Sequence, residues 1–208
     1  RRECWPEMTN PSIVIIDSGG ANIASLMYAF RRLGADAKLT TDADSIRNAE
    51  RVVLPGVGAA RDAMERLKEL GLVDVIRGLS QPVLGICLGM QLLADASEEE
   101  DVECLGIIPG VARKLHGGAH CPVPNMGWCA ITARQDHDLL SSIDDGSYFY
   151  FVHSYALPVG EHTLATASHS EPFSAMVRRE NFVAAQFHPE RSSTNGSRLL
   201  ANFVGLSA

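Results

Sequence analysis

The sequence predicts an α/β fold built as a three-layer sandwich: a central, mostly parallel sheet with helices on both faces and an additional antiparallel β portion in the C-terminal half. Three observations carry this expectation. Short, continuous apolar runs at residues 12–17 (SIVIID), 51–55 (RVVLP) and 81–85 (QPVLG) have the length of strands buried on both faces. A helical pattern follows each of them. Beyond about Gly106 the texture changes to strand-like pieces separated by polar turns.

In chain order, the first run ends at SGGAN, and Ile23, Leu26, Met27, Phe30 and Leu33 then recur at helical spacing until Gly34. The second run turns through GVGAA into a helix marked by Met64, Leu67 and Leu70 and closed by Gly71. The third runs into a helix expected over residues 88–94. The later strand candidates are residues 106–115, 127–133, 147–153, 163–169, 173–179 and 181–188, with a tight turn at Glu180 between the last two. Residues 197–204, with Leu199, Leu200 and Phe203, predict a terminal helix against the sheet. Residues 1–11 lack periodicity and are expected to be an N-terminal extension, leaving 12–208 as a single domain.

Composition narrows the function classes. With 46% hydrophobic and 21% charged residues the chain reads as globular, neither disordered nor fibrous. A net charge of −7, from 25 acidic and 18 basic residues without a basic stripe, disfavours a nucleic-acid partner. No apolar run approaches the roughly 20 residues that span a bilayer, and the first residues lack the apolar stretch of a secretory signal, so the expectation is a cytoplasmic protein with no membrane partner. The five cysteines, at 4, 87, 104, 121 and 129, show no metal-ligand spacing, and the reading is reduced thiols with no metal and no cofactor.

One cysteine is placed where chemistry happens. Cys87 lies between Gly85 and Gly89, where the third strand gives way to a helix, and the carboxyl ends of strands are where open α/β sheets gather reactive groups. A sharp strand-to-helix turn pushes its central residue outward, and a helix N-terminus favours a thiolate there. A free cysteine is otherwise most often a small buried hydrophobe. What distinguishes the two is a base. The strand pattern at 181–188 runs into His188-Pro189-Glu190; in an extended chain residues two apart face the same way, so one tripeptide offers an imidazole and a carboxylate to orient it.

These motifs, GICLGMQ at 85–91 and HPE at 188–190, closely resemble those of the class I, or triad, glutamine amidotransferases. PGVGA at 55–59, PNMGW at 124–128, FVHSY at 151–155 and QFHPERS at 186–192 are similar, within that family, to the glutaminase subunits of imidazole glycerol phosphate synthases. The resemblance covers the chain from Ile13 onward and implies a flavodoxin-like amidotransferase sandwich. It implies a catalytic triad of Cys87, His188 and Glu190 and an oxyanion hole from the backbone N–H groups of Leu88 and Val57. It implies glutamine contacts from Gly58, Gln91, His153, Ser154 and Tyr155. Such enzymes hydrolyse L-glutamine to glutamate and pass ammonia to a cyclase subunit, a (β/α)8 barrel, in L-histidine biosynthesis. Asn22, with Met126 and Trp128 in the loop made by Pro124 and Gly127, would lie at that interface.

By the same resemblance, the oxyanion hole is completed only when the partner holds its substrate, so isolated activity is expected to be low. Three positions depart from the family pattern: Asn125 stands where histidine is usual, Cys129 where asparagine is usual, and Ser18 where an aromatic or small residue is common. The competing readings are a triad glutaminase of another pathway (pyridoxal phosphate, anthranilate or GMP synthesis) and a catalytically silent module of the same fold.

Overall fold

The β-branched and leucine-rich runs form strands because the pleated chain can bury both of its faces. The computed structural model describes residues 11–19, 23–118 and 121–206. The first half alternates: β1 (Ile13–Ile16), α1 (Ile23–Arg32), β2 (Ala37–Thr40), α2 (Ala43–Asn48), β3 (Arg51–Gly56), α3 (Ala60–Glu69), α4 (Val73–Arg77), β4 (Val83–Cys87) and α5 (Leu88–Leu92). Strands then dominate: β5 (Ala94–Ser97), β6 (Val102–Glu103), β7 (Ile108–Lys114), β8 (Asn125–Ala130), β9 (Thr132–Ala133), β10 (Tyr148–His153), β11 (Tyr155–Ala156), β12 (Thr163–Ser168), β13 (Pro172–Arg179) and β14 (Phe182–Ala185). Helix α6 (Ser193–Gly205) closes the order.

The main sheet has the order β2-β1-β3-β4-β14-β13-β12-β9. Its first five strands are parallel, and β13, β12 and β9 extend it antiparallel. Alternation along β1 shows how the two faces are divided. Ile13 and Ile15 join α1 and α6 in one core, whereas Val14 and Ile16 join α2, α3, α4 and α5 in the other. The sandwich expected from the sequence is therefore present. Separate from it are a four-stranded sheet, β11-β7-β5-β6, and a ribbon of β10 with β8.

Three details differ from the sequence reading. The helix expected over 88–94 stops at Leu92, and Ala94 opens β5, which pairs in parallel with β7. Met126 and Trp128 lie on strand β8, not in a loop; β8 pairs antiparallel with β10 from Asn125↔His153 to Ala130↔Tyr148. His188 and Glu190 do not project from an extended strand, because β14 ends at Ala185 and Pro189–Arg191 forms a short 3-10 turn. Proline at the first position fixes φ for that turn. Asn22 lies outside the described residues, as do residues 1–10 of the proposed extension.

Aromatic packing fixes the ribbon against the sheet. Phe149 and Phe151 on β10 are fully buried, with ring centroids 4.1 and 5.5 Å from Phe187, and Phe151 meets Phe173 of β13 edge-on at 5.6 Å. Burying each ring contributes about 1.5–3 kcal/mol, so the segment that carries His188 is held as firmly as the core.

Candidate functional site

Cys87 ends β4 with φ 53° and ψ −108°, a backbone conformation that a side-chain-bearing residue adopts only where its surroundings impose it. The surroundings are the two flanking glycines. A Cβ on Gly89 would lie 1.8 Å from the Leu54 carbonyl oxygen, and one on Gly85 would lie 2.9 Å from Leu93 Cδ1 and 3.0 Å from Ala184 Cβ. Neither glycine is itself at positive φ. Their task is close approach of helix to sheet, and the sharp turn falls on the cysteine, as the strand-to-helix elbow requires.

The carboxyl ends of adjacent parallel strands bring the other groups to it. Gly56, closing β3, is in register with Cys87, and β14, on the other side of β4, leads to His188. His188 Nδ1 is 2.9 Å from Glu190 Oε1, and both side chains are almost completely buried. The main chain of His188 is clamped as well. Its N–H donates to Tyr150 O at 2.9 Å, and Ser192 Oγ donates to its carbonyl at 2.7 Å. Gly196 lets α6 press onto the turn, since a Cβ there would lie 1.9 Å from Pro189 O.

His188 Nε2 makes no hydrogen bond of ordinary geometry among the described residues, and the Cys87 sulfur is the reactive group it faces. Burial pushes the imidazole's proton affinity down. Interaction with Cys87 and the hydrogen bond with Glu190, together with the negative charge of both, push it up further, and the pKa rises from 6.5 to about 10. The pair at neutral pH is thus an imidazolium beside a group able to carry negative charge.

A cavity of about 290 Å³ opens over Cys87. Val57, Gly58, Leu88, Gln91, His153, Ser154, Tyr155 and His188 line it, so every candidate catalytic, oxyanion-hole and glutamine-binding residue but Glu190, which stands behind His188, reaches this one space. Gly58 has φ 96°, the conformational freedom expected of a glycine beside Val57. Val57 also lines a second space of about 20 Å³ with Gly19, Pro55, Ile86, His188 and Glu190, room for one water.

Hydrogen bonds sharpen two of the assignments. Gln91 uses both amide hydrogens within the protein, donating to Tyr155 O at 3.0 Å and Gln186 Oε1 at 3.3 Å. Only its oxygen remains for a ligand. Both ring nitrogens of His153 are engaged: Nδ1 with Tyr155 O at 2.9 Å and Nε2 with Asn125 Nδ2 at 3.1 Å. Burial is the main reason its pKa falls from 6.5 to about 4; its bond to Tyr155 opposes this, and His169 and His188 reinforce it. His153 is therefore a neutral wall of the cavity.

Four residues at the site were given no role in it from the sequence: Glu99, Pro124, Val152 and Gln186. The first three line the cavity, and Gln186 Nε2 lies 3.8 Å from Cys87 Sγ. Glu99 Oε2 accepts the Ala60 N–H at 3.0 Å. It comes from an acidic run, EEED, that reads as a solvated loop, and nothing in the run marks one member. Of the three departures from the family pattern, Asn125 and Cys129 form one chain with His153, Cys129 Sγ lying 3.6 Å from Asn125 Oδ1. Ser18 Oγ donates to Pro55 O at 2.8 Å, tying the first turn to the strand that leads to Val57.

Met126 and Trp128 project from the outer face of the ribbon, 65% and 51% exposed, opposite the buried Asn125. Trp128 packs edge-on to Tyr150 at 6.1 Å, and the Arg191 guanidinium lies over the Tyr150 ring at 4.8 Å.

Comparison with known proteins agrees with this geometry. Residues 14–206 match the family model "Glutamine amidotransferase class-I". Imidazole glycerol phosphate synthase subunit HisH of Shewanella loihica is 46% identical over 211 residues, covering 97% of this chain and 93% of that protein. The subunit of the same name from Xanthomonas axonopodis pv. citri is 48% identical, covering 94% and 98%. Among solved structures, a glutamine amidotransferase superposes with TM-score 0.71 at 20% identity over 93% of this chain and 99% of its own. Another, from Thermotoga maritima, superposes with TM-score 0.63 at 19% identity over 91% and 80%. At that identity the structural likeness concerns the fold. The family match across nearly the whole chain, with near-complete mutual coverage at 46–48% identity, shows that the chain belongs to the class I glutamine amidotransferases and, within them, to the HisH family.

Proposed function

We propose that this chain is the glutaminase subunit of an imidazole glycerol phosphate synthase, hydrolysing L-glutamine and delivering the ammonia to a cyclase subunit. The observation that carries the chemistry is Cys87 held at positive φ at a strand end beside a buried His188–Glu190 pair. Residues 12–208 act as one amidotransferase domain in this reading, and the site is cytoplasmic, in keeping with the free thiols at 87, 104, 121 and 129.

Sulfur attacks the γ-carboxamide carbon, and the oxyanion that forms is received by the N–H groups of Leu88 and Val57. The C–N bond breaks as nitrogen takes the proton of His188, which the raised pKa keeps in place until then. Ammonia leaves. Water then adds to the thioester, giving a proton to the neutral His188, and glutamate is released. Glu190 keeps the imidazole oriented throughout.

The remaining cavity groups read the amino-acid end of glutamine. The free oxygen of Gln91 and the carboxylate of Glu99 are acceptors, suited to the α-ammonium, while Ser154 and Tyr155 offer donors for the α-carboxylate. Gly58 and His153 shape the walls. The outer face of the ribbon, with Met126 and Trp128, is the surface for the cyclase, a (β/α)8 barrel, and Asn22 belongs to the same interface. A heterodimer coupled in this way wastes little glutamine if the Val57 donor, worth roughly 3–4 kcal/mol, is in place only when the cyclase is loaded.

The test is glutamate formation with and without a HisF-type cyclase subunit and its nucleotide substrate. Stimulation by that pair, with transfer of amide nitrogen into imidazole glycerol phosphate, supports the reading. An equal rate in its absence, or stimulation by another synthase instead, overturns it.

A further inference from the structure

One buried polar side chain beside the reacting sulfur is not used by the mechanism above. Gln186 lies between β14 and His188 with none of its surface exposed. Leaving a buried amide unpaired costs about 1–3 kcal/mol, so each of its partners has a consequence. Gln91 Nε2 donates to Gln186 Oε1 at 3.3 Å. That bond decides the orientation of the amide, because turning it over would set two NH2 groups against each other. Gln186 Nε2 is thereby aimed at Cys87 Sγ, 3.8 Å away. Besides His188, the sulfur has a second polar neighbour among the described residues, Val152 O, also at 3.8 Å.

These two neighbours suit opposite states of the sulfur. A thiol can donate to the Val152 carbonyl, whereas a thiolate has no proton to give and calls for a donor. Beside the His188 imidazolium, the Gln186 N–H is such a donor, and a hydrogen bond to an anion is roughly twice as strong as one to a neutral acceptor.

We propose that Gln186 is a catalytic residue: its side-chain N–H supports negative charge on the Cys87 sulfur, and Gln91 holds the amide in the orientation that makes this possible. The contribution is differential, which is what a rate effect requires. It acts before attack, on the thiolate, and again when the acyl-enzyme is resolved. There water adds to the thioester carbon and gives a proton to His188, and the C–S bond breaks with its electron pair returning to sulfur. Glutamate leaves and its γ-carboxyl ionises to solvent. The inference rests on the glutaminase reading of the site. The other titratable groups around the sulfur are His188, with Glu190 behind it, and Glu99, His153 and Tyr155 lining the same cavity.

The experiment is alkylation of Cys87 by iodoacetamide across pH, in the full chain without glutamine, for wild type, Gln186→Met and Gln186→Glu, with a Cys87→Ala background for the other thiols. Thermal melting reports folding. Gln186→Met removes the donor at similar volume and is expected to slow alkylation at pH 7 by about tenfold and move the midpoint of the pH profile upward. Gln186→Glu places a carboxylate against the sulfur and is expected to move it further. If the Met variant does not melt cooperatively, the Glu variant, of nearly unchanged shape, decides. A profile in a folded variant that superposes on wild type overturns the proposal, since a packing role alone would lower the melting temperature without moving the midpoint. A shifted profile in a protein that never hydrolyses glutamine, even with its cyclase, would sink the functional reading and leave the sulfur contact standing.

Discussion

Asn125 and His153 face each other across the β8–β10 ribbon, with the amide nitrogen of one 3.1 Å from the imidazole Nε2 of the other. Nδ1 of His153 donates to Tyr155 O, so Nε2 is the acceptor, and the Asn125 amide completes a fully satisfied neutral histidine. Asn125 opens β8 as a buried residue, and Met126, the next along the strand, is exposed on the opposite face of the ribbon. The ribbon therefore presents an apolar surface outward and a fixed wall to the glutamine cavity inward.

A neutral buried histidine makes stability depend on pH. The folded-state pKa of His153 is about 4 and the unfolded value is 6.5, so the unfolded chain binds the extra proton between them. Its contribution is fully present above pH 6.5 and is lost as pH falls towards 4, by on the order of 3 kcal/mol. Thermal melts of wild type and His153→Gln over pH 4–8, about the range in which these groups titrate, check this. The acid-side fall should be shallower in the variant.

The opposite sign applies to His188. Its folded pKa is raised to about 10, so its contribution is present below pH 6.5 and is lost as pH rises through 10. Glu190→Gln removes one of the two charges that raise it and leaves the volume unchanged. Glutamine turnover in the complex is expected to fall about 10²- to 10⁴-fold, as measured by glutamate release, and the melting temperature to fall with it, because part of the His188 contribution is lost with the carboxylate. A fall of less than threefold, or roughly 0.6 kcal/mol, would remove Glu190 from the triad.

The elbow makes a prediction about backbone. Gly89→Ala drives a methyl group to 1.8 Å from Leu54 O and should cost more than about 3 kcal/mol, detected by denaturant unfolding. Gly58→Ala meets nothing within 4 Å but must hold φ 96°, so it should cost about 1–3 kcal/mol through backbone strain. Its effect on stimulated glutaminase activity should exceed its effect on stability, because the strain falls beside Val57.

The parts of this molecule that were legible in the sequence are those where one residue type has one physical task. Continuous apolar runs gave away β1, β3 and β4, and the Cys87 elbow with its two glycines could be recognised by spacing alone. β2 escaped because it is an edge strand, Ala37–Thr40, with half-buried and exposed positions and no apolar run to mark it. α2 and α4 escaped because six and five residues are too few to show a period. In the site, Gln186, quoted only as one letter of a family motif, and Glu99 were given no role for a different reason. A glutamine at the end of a strand pattern and a glutamate in an acidic run are ordinary until the fold aims one at a sulfur and the other into a cavity. The alternation argument expected His188 and Glu190 to meet along an extended chain; their side chains do meet, but a 3-10 turn brings them together.

The measurement that bears most directly on the central claim is glutaminase turnover of the reconstituted complex, wild type against Cys87→Ala, with cyclase and its nucleotide present. Wild type should release glutamate faster than the isolated chain, and Cys87→Ala should release none above background while still binding the cyclase. Glutamate release by the Cys87→Ala complex at the wild-type rate would contradict the account.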